Sequence, residues 1–424
     1  MPDLPRLMRK GPAPAPRIVH IGPGAFFRGF NAVYTHEVMA ETGEDWGIVA
    51  ISLRSASARD QLVPQGCAYT SVTLREDGWQ AQVIGSIADV LVAPEDPEKV
   101  LAAMADPAIA IVSMTMTEKG YCHNPATGRL DLAHPDIARD LTGDASSVSA
   151  PGLIVEALAR RRAAGTAAFT VLSCDNLPSN GRLAQGVILD FARARDEGLA
   201  QWIADHATFP STMVDRITPA TTEADIEKLA QLEGHHDAAC VFHEAFRQWV
   251  IEDDFVAGRP DWDRAGAQFV RDVEAHETMK LRCLNGTHST LAYLGYLAGH
   301  ETIADAVADP DFAALCDRLW SKEILPTVPQ PEGEDLQAYC RALMGRYRDR
   351  SLRHRTWQIA MDGSQKLPQR ILGTIRDTLA AGREAPGLCL VVAAWMRYVG
   401  GVDEAGRPID VRDPLADRLR AASD

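Results

Sequence analysis

The sequence predicts an α/β protein in which a doubly wound, mostly parallel sheet domain over residues 1–270 is followed by a mainly α-helical domain over residues 271–424. Three observations carry that expectation. Near-continuous apolar runs alternate with helical stretches early in the chain, which is how strands covered on both faces read. A glycine-containing turn follows the first such run. Beyond about residue 270 the strand signal fades and helical periodicity takes over. A chain of 424 residues also exceeds what one hydrophobic core usually organises, so more than one domain is expected.

Taken in order, the opening "MPDLPRLMRKGPAPAPR" has basic residues but is broken by prolines where a secretion signal needs an apolar segment, and it reads as a flexible leader. "RIVHIG" (17–22) is the first strand, short, β-branched and ended by glycine. "DWGIVAISL" (45–53), "AIAIVSMTM" (108–116) and "AAFTVLSCDN" (167–176) repeat the pattern, with "DPEKVLAAMA" and "GLIVEALARRRAAG" as intervening helices. "CVFHEAFRQWVIEDDF" (240–255) looks extended and fits either domain. The second domain reads as helices over 273–299, 301–307, 311–322, 335–347, 366–381 and 387–397, with a loop at 325–335.

Composition excludes several classes. With 46% hydrophobic and 24% charged residues the chain is globular, and no apolar run approaches the ~18 residues of a membrane span. A net charge of -15 without a compensating basic block repels phosphate backbones and anionic lipid, so neither nucleic acid nor membrane is an expected partner. The eight cysteines stand singly, with neither disulfide-scaffold nor zinc spacing, which suits a reducing cytoplasm. The adjacent His235 and His236 read as an exposed loop, and no metal site is expected. The expected assembly is a monomer or small homo-oligomer.

"IVHIGPGAFFRGF" places Gly22 and Gly24 directly after the first strand, where a Rossmann-like dinucleotide fold needs a tight turn and close approach of backbone amides to a pyrophosphate. Phe27 occupies the third glycine position of GxGxxG, and the same stretch also suits a strand-to-helix turn with no ligand. Read as a cofactor site, it enlists Ile21, Gly22, Gly24, Ala25, Phe26 and Arg28. At the end of the second strand no Asp or Glu awaits an adenine ribose. Arg54 sits there, either solvated or ready to accept a 2′-phosphate, so the expected cofactor is NAD with NADP left open.

"MKLRCLNGTHSTLAYLGYLAG" (279–299) puts Lys280, Asn285 and His288 in an otherwise apolar helix. At about 100° per residue on an ideal α-helix, Lys280, Glu277, His288 and Asn285 fall at roughly 0°, 60°, 80° and 140°, so all four share one side. Such a face suits water or the other domain's carboxylates, and equally a small polar molecule. Leu281, Leu284, Leu291 and Leu294 supply the apolar half.

These residues resemble a known family, the polyol-specific long-chain dehydrogenases, whose hallmark is the K-x4-N-x2-H arrangement seen at Lys280, Asn285 and His288. "GPGAFFR", "TMTEKGYC", "SCDNLPSNG", "MVDRITPA", "FRQWVIEDDFVAGRPDW", "RTWQIAMDGSQKLPQR" and "WMRYVGGVDE" resemble family segments in order, from about residue 17 to 413. Within the family, the likeness is nearest to fructuronate reductases (D-mannonate oxidoreductases). The resemblance implies Lys280 as general acid and base, with Asn285 and Asn176 hydrogen-bonding the oxygen on which charge develops. It implies that His288 and Asp215 hold the substrate and the lysine, and that Glu277 and Glu118 relay protons or gate the site. Phe27 departs from the histidine of many relatives, and the chain ends before the terminal helices expected of fructuronate reductases.

Hydride transfer to a ketone leaves negative charge on oxygen, which needs a proton donor and pre-aimed amide dipoles. A lysine can serve where other alcohol dehydrogenases use zinc. A uronate substrate adds a carboxylate, for which Lys119, Lys366 and Arg370 are candidate clamps, each equally readable as a surface charge. The expected ligand is a small sugar acid or polyol. Interconversion of D-fructuronate and D-mannonate leads. Mannitol, tagaturonate or another polyol or sugar acid follows, and a non-catalytic dinucleotide sensor is the reading from another class.

Overall fold

The computed structural model describes residues 4–143 and 146–423, and the chain forms two compact units, Met1–Val273 and Glu274–Asp424. The first is built on five parallel strands: β1 (Pro16–Ile21), β2 (Gly47–Ser52), β5 (Ile87–Val92), β6 (Ile111–Met114) and β7 (Thr170–Ser173). They lie in the order β5-β2-β1-β6-β7, with Ile21 level with Ile51 on one side and Met114 on the other. Chain order therefore reverses between β1 and β6, the switch point where ligands of open α/β sheets bind.

Alternation along β1 explains why the strand reads as continuous. Val19 and Ile21 point into a core with Val49, Ile51, Val112 and the helices Pro97–Ala105 and Ala150–Ala163. Ile18 points into the opposite core with Ile48, Ile111, Phe30 and Trp249. Five-strand sheets of this kind have no solvent face, and their apolar residues are among the least exposed in the chain.

The first unit also holds two three-stranded sheets, of which the sequence pattern announces only the 240–255 stretch. A hairpin, β3 (Tyr69–Arg75) with β4 (Gly78–Ile84), pairs through β3 with β9 (Val241–Glu244), while β10 (Gln248–Glu252) lies between β8 (Thr212–Asp215) and β11 (Gln268–Val270). The extended 240–255 stretch thus becomes β9 and β10 of this unit.

The opening segment is not a flexible leader over its described residues. Leu7 is buried, and the Arg9 guanidinium donates to the carbonyls of Gly66, at 2.5 Å, of Gly85, at 2.8 Å, and of Ile87. Leu7 N–H donates to His236 O, and His236 N–H to Pro5 O. His235 and His236 are accordingly half-buried, not the exposed loop expected. Three carbonyls from two distant stretches are bonded by one side chain, which is what fixes the segment.

The second unit is helical and packs around Met279, Leu291, Tyr293, Leu319, Trp320, Leu343, Leu388 and Val391. The expected 273–299 helix is interrupted: Glu274–Met279 and Thr287–Leu297 are α-helical, but Lys280–Gly286 is a π-helix. Two further π segments, Leu319–Ile324 and Pro368–Leu372, break the expected helices over 311–322 and 366–381. Short helices at Thr356–Ile359 and Ala416–Ser423 were not foreseen. No helix among the described residues is long and apolar enough to cross a membrane.

Candidate functional site

In the first unit, β1 ends in a turn that only glycine can make. Gly22 has φ +99°, its N–H donates to Ile51 O at 2.9 Å, and a β-carbon there would lie 2.1 Å from Thr115 O. Gly24, two residues on, has φ -71°, and a β-carbon there would meet no protein atom. Gly22 is thus required by the protein, and Gly24 leaves its space to whatever occupies the cleft beside it. That cleft, about 820 Å3, opens at the carboxyl ends of β1, β2 and β6. Ile21, Gly22, Gly24, Arg28, Arg54 and Lys119 all line it. The bare glycine edge at a topological switch point fits a dinucleotide.

Phe27 replaces the third glycine by stacking on His20 of β1, centroids 3.7 Å apart and planes at 10°. His20 in turn bonds Ser113 Oγ at 2.8 Å and Thr115 Oγ1 at 2.9 Å, joining β1 to β6 beneath the turn. Ala25 and Phe26, expected to contact cofactor, are half-buried on the short Ala25–Gly29 helix and pack partly against the apolar core, Phe26 stacking on Phe30. Arg28 is anchored by donation to Ala239 O at 2.5 Å. Arg54 stands at the rim, its side chain 86% exposed and 3.7 Å from Asp136 Oδ2.

The opposite wall is the loop after β6. Thr117 there has φ +67° and ψ +161°, a conformation essentially reserved for glycine and costing a β-branched residue about 1–3 kcal/mol. Glu118 lies 4.0 Å from His123 Nε2, and Lys119 follows on the same 3-10 turn. Asn176 is exposed just beyond β7, and Asp215 is buried at the end of β8.

In the second unit the π-helix changes how Lys280 and Asn285 relate. A turn closed i→i+5 brings residues five apart to the same side, where the ideal α-helix separates them by roughly 140°. The wide turn leaves carbonyls to be served by side chains: Trp320 Nε1 donates to Cys283 O at 3.0 Å, and Tyr347 Oη to Leu284 O at 2.9 Å. Thr287 Oγ1 reinforces the first at 2.6 Å. Lys280 is buried, while Glu277 and Asn285 are half-buried.

His288 sits on the following turn, stacked on Tyr347 at 5.7 Å and beside His354 at 5.4 Å. Its Nε2 is shielded from water and has no hydrogen-bond partner among the described residues, an orphan that a bound hydroxyl would satisfy. Burial, then the charges of His354, Arg370, Arg346 and Lys366, hold His288 well below the usual imidazole range. Arg370 donates to Ser289 Oγ at 3.2 Å and has no carboxylate partner among the described residues. Lys366 donates to Met361 O at 2.6 Å, with Asp362 4.0 Å away. Burial lowers the pKa of both cations. The second unit therefore brings His288, Lys366 and Arg370 together. His354, Arg346 and Tyr347 join them, unsignalled in sequence except as unexplained polar residues in helical stretches.

These neutral histidines make stability pH-dependent. Burial holds His20 and His243 at about 3 and His354 at about 4, whereas an unfolded chain protonates histidine near 6.5. Below that value the unfolded state binds more protons, so stability is full above about pH 6.5 and falls as pH drops toward 3, with a slope of up to about 1.4 kcal/mol per pH unit for each histidine. Urea titrations at pH 7, 6 and 5 should show this decline; a flat profile would contradict the buried placements.

Comparison with known proteins follows the same division. A profile described as the mannitol dehydrogenase Rossmann domain matches residues 16–264, and one described as the mannitol dehydrogenase C-terminal domain matches 272–424. A D-mannonate oxidoreductase of Escherichia coli (strain K12) is 51% identical over 403 residues, 94% of this chain and 83% of that protein. A mannitol 2-dehydrogenase of Pyrenophora tritici-repentis is 42% identical over 411 residues, 95% of this chain and 73% of that protein. The solved structure of Pseudomonas fluorescens mannitol 2-dehydrogenase, a ternary complex with NAD and D-mannitol, is similar with a TM-score of 0.85 and 38% identity, covering 100% of this chain and 87% of that one.

Proposed function

The chain belongs to the mannitol dehydrogenase family of oxidoreductases, and from that premise we propose that it interconverts D-fructuronate and D-mannonate with NAD(H), using a lysine as general acid and base. The observation that carries the choice of a sugar acid is the pair of partly buried cations, Lys366 and Arg370, beside the orphaned Nε2 of His288. Arg370, held largely out of water without a matching carboxylate among the described residues, favours an anionic ligand, which a polyol is not, and Lys366, paired at 4.0 Å with Asp362, adds positive charge beside it.

In this reading the first unit's cleft binds the dinucleotide through the Gly22–Gly24 edge and Arg28. The bound cofactor supplies hydride to the carbonyl carbon. Lys280 Nζ gives its proton to the carbonyl oxygen, and the amides of Asn285 and Asn176 donate to that oxygen as charge develops. Glu277 returns a proton to the lysine. His288 and Asp215 hold substrate hydroxyls, Arg370 and Lys366 clamp the carboxylate, Lys119 is a further candidate for that clamp, and Glu118 relays protons or gates the site.

Purified protein assayed with NADH and NADPH against fructuronate, tagaturonate and fructose tests this. The highest kcat/KM should fall on fructuronate with NADH. A preference for fructose would move the substrate to the polyols, as the mannitol 2-dehydrogenase likeness favours, and binding without turnover would make the protein a sensor. Arg370→Met should raise KM for the uronate about ten- to hundredfold, the worth of one charge-assisted hydrogen bond, and leave fructose kinetics within about threefold. Equal effects on both substrates would remove the clamp.

A further inference from the structure

The loop over residues 115–122 cannot owe its shape to its own preferences. Thr117 holds φ +67° and Cys122 φ +51°, and Gly120 approaches Met116 so closely that a β-carbon on it would lie 2.6 Å from Met116 Cβ. The loop nevertheless lines the cleft with Thr115, Met116, Thr117, Lys119 and Cys122. Something must hold it against its strain.

Asp175 does. Its carboxylate accepts the backbone N–H of Met116 at 2.9 Å and of Thr117 at 3.0 Å, so the amides flanking Met116, the strained residue's own among them, are gripped. It also accepts Tyr121 Oη at 2.7 Å, which takes hold of the loop's far end, and Tyr121 bonds Ser173 Oγ at 2.5 Å. Asp175 and Tyr121 are buried, at 8% and 1% exposure, so these bonds are shielded from competing water.

The carboxylate's own base is equally fixed. Asn180 Nδ2 donates to Asp175 O and Thr212 O, both at 2.8 Å, and Asn180 Oδ1 accepts Thr212 N–H at 2.9 Å. The side chain thus hangs from the junction of β7 and β8. Asn176 is its next neighbour along the chain, and Glu118 and Lys119 ride on the loop it grips.

We propose that Asp175 is a positioning residue, a buried latch that holds Thr117 in its strained conformation and thereby fixes Lys119 and Asn176 in one working arrangement. This rests on the reading above that the cleft takes a dinucleotide and that those two residues serve the substrate. It assigns a task to a carboxylate that does not itself line the cleft.

The test is a double-mutant cycle read two ways. Asp175→Asn keeps shape but loses the charge that accepts the amides. Hydrogen–deuterium exchange in peptides spanning 115–122 should quicken at least tenfold, and kcat with the best sugar substrate should fall at least tenfold. In a Thr117→Gly background, where the residue adopts positive φ without restraint, the same substitution should cost less than threefold in kcat. A general loss of packing would not be cured by that glycine. An equal loss in both backgrounds, or unaltered exchange in Asp175→Asn, overturns the latch. If Asp175→Asn does not fold, Tyr121→Phe removes the far-end bond to Asp175 together with the one to Ser173, and should quicken exchange in 118–122 while leaving NADH affinity measurable; no change there overturns the latch as well. The exchange measurement needs no turnover, so an inactive wild type would count against the proposed reaction while the latch is still decided.

Discussion

Replacing Lys280 with alanine is expected to lower kcat by about 10²–10⁴-fold while leaving NADH affinity within about threefold. The reasoning is differential. A proton donor acts on charge that exists only in the transition state, so its loss falls on kcat and spares cofactor binding in the cleft of the other unit. Steady-state kinetics on uronate and fructose, with fluorescence titration of NADH, separate the two quantities. The wide turn makes the prediction sharper, because Asn285 stands on the same side as the amine and cannot itself supply a proton. Near-full turnover in the variant would remove lysine from the chemistry.

Gly22→Ala should be nearly as damaging and for a different reason. The added methyl would stand 2.1 Å from Thr115 O at a residue with φ +99°, so β1 and β6 must part at the point where the cleft opens. We expect a loss of about 3 kcal/mol or more in unfolding free energy and at least a hundredfold in NADH affinity. Gly24→Ala provides the contrast. Its methyl meets no protein atom at φ -71°, so the melting temperature should hold while NADH affinity falls. If both variants lose stability alike, the second glycine serves the fold and not the ligand.

The parallel sheet is legible in the sequence because strands buried on both faces, such as Ile18–Ile21, Ile48–Ile51 and Ile111–Met114, have no solvent-facing side, and only the mutually bonded His20 and Ser113 interrupt their apolar runs. The β3–β4 hairpin is not, since β4 is largely solvent-facing and its Gly78–Ile84 residues read as a polar segment. Arg9 was hidden differently: its three acceptors lie 57 to 78 positions away, and no local pattern announces a side chain that satisfies distant carbonyls. Among the cofactor candidates, Gly22, Gly24 and Arg54 reach one cleft from the turns after β1 and β2, and Arg28 from the short helix that follows β1. Ala25 and Phe26, also expected at the cofactor, stand half-buried on a five-residue helix whose packing against the core no local pattern announces. His354 and Arg346 needed the fold to bring them to His288, although Lys366 and Arg370 were visible as cations in the family-like segment "RTWQIAMDGSQKLPQR".

The interval between Lys280 and Asn285 acquires a meaning from the π-helix in which it lies. Neighbours on ordinary helices are three or four places apart, so a functional couple at five would be badly aimed unless the backbone dilates between them. Polar partners spaced by five within a greasy segment are therefore a searchable mark of such dilation. In this protein the mark is written in the composition of the signature itself.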